Sequence, residues 1–357
     1  MILEKTQILE ITSDGKSEKD KEKLSFAAEI IKKGGTVCFP TETVYGLGAN
    51  ALDENAVSDI FKAKGRPQDN PLIIHLDNLE NADKYCVAKD NKHLEKISCF
   101  FPGPITAVLE KRENIPDVVT AKLKSVGVRV PCHPVANEFL RLCAVPVAAP
   151  SANISGRPSP TEAKHVIEDL YGKVDVIISA GDANVGLEST IVSLVTEKPT
   201  LLRPGGISYE SLCEKLGEVA VSGAVLSEMK PGDTASAPGM KYKHYAPKTP
   251  VHLVLGSDED VKAFLLQKQA YENCAILGFS QDKEYLSGKN FFDLGAKEDP
   301  DRHAHTIFAH LRATDEKQGL SAVYVHITGD KSGINLAVFN RLLKASAYHV
   351  IDLTEGK

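Results

Sequence analysis

The sequence has none of the cysteine pairs and few of the long apolar runs that mark zinc proteins, disulfide scaffolds and membrane proteins. Its seven cysteines never form a CxxC pair and lie in apolar segments, which is typical of free thiols in a reducing compartment. The uncharged stretch 142–156 contains two prolines and is shorter than the roughly 20 apolar residues of a bilayer span. The amino terminus lacks a basic region followed by an apolar one, so we predict a cytoplasmic chain without a signal peptide.

The sequence also has no excess of basic residues. Lys and Arg total 42 against 48 Asp and Glu, a net charge of −6, so any site for a polyanion must be a local patch. A length of 357 residues, with 42% hydrophobic and 25% charged residues, is typical of a soluble globular protein with about two domains.

Hydrophobic periodicity predicts a mixed, twisted α/β sheet in the amino-terminal part of the chain. Helices are predicted over 17–33, between the possible caps Ser17 and Gly34, and over 53–64, capped by Asp53. Near residue 222 the pattern changes to small residues and prolines. We therefore divide the chain into a catalytic domain (1–221), a linker or lid (222–250) and a smaller, Rossmann-like α/β domain (251–357).

Two motifs suggest functions that their context disfavours. Residues 46–51, GLGANA, fit the dinucleotide fingerprint, but no helix opens within them; the glycines are better explained by close approach of the backbone to a ligand or a neighbouring strand. His303, His305 and His310 are predicted to be solvated on a surface helix, and we predict no protein-bound metal there. The sequence also shows no triad of nucleophile, base and acid, so we expect no covalent catalysis.

Two polar segments could bind an anion. Lys64 and Arg66 follow a helix, where they could serve only as capping cations, but Asn70 and His75 stand close behind them. The segment 151–161 places hydroxyls, an amide and a guanidinium after a buried strand, where α/β sheets form ligand crevices, although Ser and Asn also form ordinary turns.

Two arginines interrupt apolar runs and therefore need a negative partner. Arg129 and Arg203 could each form a structural salt bridge or bind the carboxylate or phosphate of a ligand. The hydroxyls of Ser189 and Thr190, which open a further strand, could be sheet-edge polar groups or ligand donors.

Eight motifs in a fixed order give the sequence a family resemblance. They are PTETVYGLG, KGRPQDNPL, FPGPITAVL, VGVRVPCHP, PVAAPSANISGRPSPT, ESTIV, LLRPGGI and PGMKYKHYAP. Together they resemble the YrdC-like threonylcarbamoyl-AMP synthases, in the longer form with an additional carboxyl-terminal domain. The resemblance implies that L-threonine, bicarbonate and ATP, with Mg²⁺ on the nucleotide, give threonylcarbamoyl-adenylate and pyrophosphate. The product would serve the modification of the adenosine next to the anticodon of tRNA.

The resemblance also assigns site residues. The family's Lys-x-Arg and Ser-x-Asn signature implies a catalytic role for Lys64, Arg66, Ser151 and Asn153. Positions matching the threonine pocket are Thr43, His75, Arg129, Ala149 and Ser189. Positions matching the ATP contacts are Arg66, Asn70, Ser125, Ser151, Ser159 and Arg203, with Tyr242 of the linker folding over the nucleotide.

Two other functions remain open at the level of sequence. The basic loops could form an RNA-binding module without ATP turnover, which predicts salt-dependent affinity for RNA. A carbamoyltransferase of hydrogenase maturation is disfavoured because the chain lacks CxxC pairs and an acylphosphatase-like module. For the synthase, the expected partners are the three substrates and the machinery that transfers the threonylcarbamoyl group to tRNA, with a weak contact with tRNA itself and no membrane partner.

Overall fold

The computed structural model describes residues 5–12, 14–228, 237–238, 245–286, 288 and 290–354. These residues form two α/β units, each built on its own sheet. Within the described ranges, no helix has both the length and the apolar character needed to cross a membrane. Tyr242 lies outside the described residues.

The amino-terminal unit is built on an eleven-stranded mixed sheet. Its strands are β1 (Gln7–Glu10), β2 (Val37–Phe39), β3 (Gly46–Asn50), β4 (Ile73–His75), β5 (Ile105–Glu110), β6 (Ser125–Arg129), β7 (Val147–Ala148), β8 (Val176–Ser179), β9 (Thr190–Ser193), β10 (Thr200–Arg203) and β11 (Ala220–Val221). They lie in the order β1-β8-β2-β3-β7-β4-β6-β5-β9-β10-β11, with parallel and antiparallel neighbours.

Helices cover this sheet and end at positions set by local chemistry. They are α1 (Glu18–Lys32), α2 (Glu54–Lys64), α3 (Lys92–Ile97), α4 (Asp117–Thr120), α5 (Pro134–Cys143), α6 (Ala163–Leu170) and α7 (Tyr209–Leu216), with 3₁₀ turns at Leu79–Lys84, Ser98–Phe100 and Gly223–Val225. The side chains of Ser17 and Asp53 cap α1 and α2, as the sequence predicts. Gly65 ends α2 with a φ of +62°, a conformation that glycine adopts without strain.

The carboxyl-terminal unit has a five-stranded parallel sheet in the order β14-β13-β15-β12-β16. Its elements are β12 (Val251–Leu255), α8 (Asp258–Tyr271), β13 (Cys274–Gly278), a 3₁₀ turn (Ser280–Glu284), β14 (Phe291–Asp293), α9 (Pro300–Asp315), β15 (Ala322–His326), α10 (Asn335–Ala345) and β16 (Val350–Asp352). Strands alternate with helices, so both faces of the parallel sheet are covered and the predicted α/β class is confirmed.

The two units share an apolar core. Val44 and Leu187 of the amino-terminal unit cluster with Tyr245 and with carboxyl-terminal residues that include Phe308 and Leu342. The carboxyl-terminal unit therefore packs directly against loops of the larger sheet.

This packing corrects the prediction for the histidines of α9. His303 is 3% exposed and its Nε2 bonds to the Ala296 carbonyl at 2.7 Å, while His305 and His310 are half-buried and bond to backbone carbonyls. The helix lies between its own sheet and the amino-terminal unit, so it has little free surface.

The glycines of the GLGANA motif lie on strand β3, and the helix follows only after Asp53. A Cβ at Gly48 would stand 2.6 Å from Cγ1 of Val147 on the neighbouring strand. Close strand packing therefore requires this glycine.

Candidate active site

A cleft of about 640 Å³ opens across the middle of the large sheet. It lies beside strands β3, β4, β6, β7, β9 and β10 and is lined by Thr41, Val44, Tyr45, Gly46, Arg66, Ile73, His75, Arg129, Ala149, Pro150, Ser151, Asn153, Arg157, Ser159, Glu188, Ser189, Arg203, Pro238 and Tyr245. The lining contains four guanidinium groups and one carboxylate. Such an excess of positive charge, on a chain that is acidic overall, suits an anionic ligand.

The loop after β7 forms one wall of the cleft. The Ser151 hydroxyl donates to Asn153 Oδ1 at 2.5 Å, and the Asn153 amide donates to the carbonyls of Ile154 and Arg157 at 2.8 and 2.9 Å. Because its amide is committed to the loop backbone, Asn153 holds the loop in shape and orients the Ser151 hydroxyl.

Lys64 supports the same loop from behind. Its side chain is fully buried at the end of α2 and its Nζ donates to the carbonyls of Ser151 and Asn153. Burial, with the charge of Arg66 adding to it, places the pKa of Lys64 well below its usual range. Lys64 is not among the lining residues, so in this structure it acts on the cleft through the loop.

Arg129 ends β6 at the opposite wall and forms a buried ion pair. Its Nη2 lies 2.7 Å from Oε1 of Glu42 and 3.4 Å from the Thr41 hydroxyl. In this structure the negative partner of Arg129 is therefore the carboxylate of Glu42. The guanidinium bonds to one oxygen of that carboxylate, Oε1.

His75 stands beside Arg129 in the paired strand β4. Burial, together with the charge of Arg129, lowers the pKa of His75 to about 3. The ring is therefore neutral at physiological pH and can offer a polar edge without adding charge.

Arg203 ends β10 and holds the start of β9. Its Nε and Nη2 donate to the Ser189 carbonyl at 3.2 and 2.9 Å, and Nη2 also lies 3.2 Å from the Ser189 hydroxyl. Its Nη1 donates to the carbonyl of Pro238, which lies within the predicted linker, at 3.3 Å. Unlike Arg129, it makes these hydrogen bonds to neutral groups only, and the carboxylate of Glu188 interacts with it through charge alone.

The structure brings most of the sequence-predicted residues to this cleft. Its lining includes Arg66, His75, Arg129, Ala149, Ser151, Asn153, Ser159, Ser189 and Arg203.

The other predicted residues lie elsewhere. Thr43 is buried and pairs with Thr41, which takes the lining position. Asn70 is buried behind Arg66 and accepts from it through its carbonyl. Ser125 starts β6, four residues from Arg129, which is roughly 13 Å along an extended strand. The structure does not place these three side chains in the cleft, and the proposed role of Tyr242 stays a prediction.

Sequence reasoning left several lining or supporting residues without a role. Glu188 lines the cleft with one oxygen bonded to Ser159, and Tyr245 of the predicted linker lines it as well. Glu42 forms the ion pair with Arg129. Glu42 and Glu188 lie inside the quoted motifs, and a carboxylate in a buried segment was the signal that could have identified them. Arg157, the guanidinium of the segment 151–161, lines the cleft and pairs with Asp169.

Comparison with known proteins covers both units. Residues 29–205 match the Sua5, YciO and YrdC family model, described as "Telomere recombination", and residues 207–347 match the model described as "Threonylcarbamoyl-AMP synthase, C-terminal domain". The chain is 43% identical over 339 residues to the threonylcarbamoyl-AMP synthase of Pyrococcus abyssi, covering 92% of this chain and 95% of that protein. It is 36% identical over 327 residues to that of Bacillus subtilis, covering 91% and 93%.

A solved structure shares the whole architecture. The crystal structure of P. abyssi Sua5 complexed with L-threonine matches with a TM-score of 0.89 and 41% identity, covering 98% of this chain and all of that one. With both family models matched in order and relatives similar over almost their full length, the chain belongs to the threonylcarbamoyl-AMP synthase family.

Proposed function

We propose that this chain is a threonylcarbamoyl-AMP synthase that joins L-threonine, bicarbonate and ATP to give threonylcarbamoyl-adenylate and pyrophosphate. The observation that supports it best is the single cleft lined by four guanidinium groups and one carboxylate, in a chain related to such synthases over its full length. All three substrates carry a negatively charged group at neutral pH, and the amino acid carboxylate and the triphosphate in particular require cationic partners.

The two ends of the cleft suit two different anions. We assign the threonine end to Arg129, neutral His75, Ala149 and Ser189, which all line the cleft, because of the likeness to a threonine-complexed structure. Arg66, Ser151, Ser159 and Arg203 would contact the nucleotide. Lys64 and Asn153 would act by fixing the loop that carries Ser151. Tyr242 remains part of the proposal as a residue that folds over the nucleotide.

The reaction requires positioning more than acid or base strength. The threonine amine and bicarbonate give a carbamate and water; a carbamate oxygen then attacks the α-phosphorus of ATP, and the bond to pyrophosphate breaks. Because a carbamate is short-lived, it must meet the α-phosphorus in a site that excludes water. Preorganised guanidinium groups stabilise the charge that develops on the phosphate oxygens.

Mg²⁺ would enter as part of the nucleotide substrate. The one carboxylate in the lining, Glu188, already has Oε1 bonded to Ser159 and Oε2 bonded to Arg341. Within the described part of the chain, no cluster of acidic, cysteine or histidine side chains suits a resident metal. The phosphate oxygens and water are therefore the ligands that we propose for Mg²⁺.

We propose that the product is used in the cytoplasm to modify tRNA. A separate transfer machinery would move the threonylcarbamoyl group to the adenosine next to the anticodon. This chain itself would contact tRNA only weakly.

The test is pyrophosphate release by the purified full chain, with the adenylate identified by mass spectrometry. We expect release to need threonine and bicarbonate together and to fall about 100-fold or more in Arg66→Ala. Lys62→Ala is the matched control, because Lys62 lies in the last turn of α2, just before Arg66, and its side chain is 75% exposed. Salt-dependent RNA binding without any pyrophosphate release would instead support the RNA-binding alternative.

A further inference from the structure

Helix α10 of the carboxyl-terminal unit inserts an arginine behind the cleft. Arg341 has no exposed surface. Its Nε donates to Glu188 Oε2 at 2.7 Å and its Nη2 donates to the Pro204 carbonyl at 2.9 Å. Its Nη1 is held by the neighbouring Asn340 Oδ1 at 2.6 Å. The guanidinium thus bridges two segments of the other unit.

Both segments carry residues of the cleft. Glu188 lines it and accepts from the Ser159 hydroxyl at 2.5 Å through its second oxygen, Oε1. Pro204 directly follows Arg203, whose own contacts run to Ser189. Arg341 therefore sets the relative position of residues that line the nucleotide end, although it does not line the cleft itself.

Charge couples the same groups. Burial alone would raise the pKa of Glu188, but the charges of Arg341 and Arg203 and the hydrogen bonds from Ser159 and Arg341 lower it to about 2. A carboxylate held ionised in this way is a fixed acceptor for the Ser159 hydroxyl, which leaves that hydroxyl in one orientation.

Apolar contacts also hold the two units together, because Val44 and Leu187 pack into the apolar core of the carboxyl-terminal unit. Adhesion alone therefore does not explain why a buried arginine stands at this place. The specific feature of Arg341 is that both of its bonds to the other unit end on residues in or next to the cleft.

We propose that Arg341 is a positioning residue for the nucleotide end of the cleft, acting through Glu188 on Ser159 and through Pro204 on Arg203. The carboxyl-terminal domain thus completes the site that the amino-terminal sheet begins. This inference rests on the proposed function, because it assigns the nucleotide to that end of the cleft.

The test measures binding of a non-hydrolysable ATP analogue to the full chain by calorimetry, together with the KM values for ATP and threonine. We expect Arg341→Met to weaken analogue binding about tenfold or more and to raise the KM for ATP more than that for threonine. Arg341→Lys, which keeps a positive charge near Glu188, should recover part of the affinity. If the methionine variant does not fold, the affinity of Arg341→Lys for the analogue is compared with that of the wild type instead.

A control separates positioning from simple destabilisation. Leu342→Ala removes apolar packing from the neighbouring residue of the same helix, and Leu342 does not line the cleft. We expect this variant to unfold at a lower temperature than the wild type but to bind the analogue with unchanged affinity while folded.

A double-mutant cycle tests the route through Glu188. In a Glu188→Gln background, Arg341→Met should weaken binding of the ATP analogue by a smaller factor than it does in the wild type, because the two residues act as a unit. If folded Arg341→Met binds the analogue like an active wild type, the positioning role is overturned and the synthase function stands. If the wild type neither binds the analogue nor releases pyrophosphate, the proposed function fails first and the positioning role fails with it.

Discussion

The single residues of the cleft differ mainly in how their charge is balanced. Arg129 uses one nitrogen for Glu42, and among the described residues neither its Nε nor Oε2 of Glu42 has a hydrogen-bond partner. A buried guanidinium with an unused donor suits a second carboxylate, such as that of threonine.

We therefore expect Arg129→Gln to raise the KM for threonine about 30-fold or more, while the KM for ATP changes little. Steady-state kinetics with each substrate varied in turn measure both values. Arg141→Gln is the control, because the Arg141 side chain is 57% exposed and its ion pair within the described part of the chain is with Glu138 of its own helix. An unchanged KM for threonine would exclude Arg129 from the threonine end.

His75 gives a prediction about pH. Its pKa is about 3 when folded and near 6.5 when unfolded, so below pH 6.5 the unfolded chain binds a proton that the folded chain does not. This residue therefore contributes a loss of stability as the pH falls from about 6.5 toward 3.

Replacing His75 by Gln should remove that contribution. Between pH 7 and pH 4.5 the wild type should lose about 2 to 3 kcal/mol more of its free energy of unfolding than His75→Gln does. Urea unfolding of both proteins at the two pH values measures the difference. Equal losses would mean that His75 titrates normally in the folded protein.

At the scale of elements, the end of α2 determines where Lys64 and Arg66 point. Gly65 lies between them in the left-handed conformation, and a Cβ there would meet no atom within 4 Å. The cost of a side chain at this position is thus backbone strain alone.

We expect Gly65→Ala to lower the free energy of unfolding by about 1 kcal/mol, and Gly65→Asn to cost less, because asparagine tolerates this conformation better. Chemical denaturation of the three proteins ranks them. If the alanine and asparagine variants lose the same free energy of unfolding, the backbone at residue 65 has left the left-handed region in the variants.

Local signals in the sequence predict these elements well, because helix caps and apolar periodicity act over a few residues. Ser17 and Asp53 cap helices where expected, and the carboxyl-terminal unit has the α/β class that its sequence predicts. The order of the eleven strands was not predictable, since it depends on pairings such as β5 with β9, whose residues are about 85 positions apart.

The same limit applies to the site. Motif residues such as Arg66 and Ser151 could be grouped by family resemblance, and the structure gathers them in one cleft. Arg341 had no local signal, because it occupies an ordinary position of a periodic helix and gains its partners only when the two units meet.

At the scale of the whole molecule, charged contacts fix the two units together on both sides of the cleft. On one side Arg341 reaches Glu188, and on the other Arg312 of α9 donates to the Pro158 carbonyl and to Asp169. The side chain of Asp169 is fully buried, and it also pairs with Arg157 of the cleft wall. Loss of Arg312 would leave this carboxylate with one cation fewer in a buried environment.

We therefore expect Arg312→Met to lower the free energy of unfolding by about 3 kcal/mol, because breaking a buried ion pair from one side costs more than the pair contributes. Urea unfolding followed by circular dichroism measures the change in the full chain. Arg302→Met, at an exposed position nearly three turns earlier on the same helix, should differ from the wild type by less than about 0.5 kcal/mol. If Arg312→Met also changed the free energy of unfolding by less than about 0.5 kcal/mol, Arg157 alone would neutralise Asp169. The apolar core around Val44 and Leu187 would then be what holds the two units together.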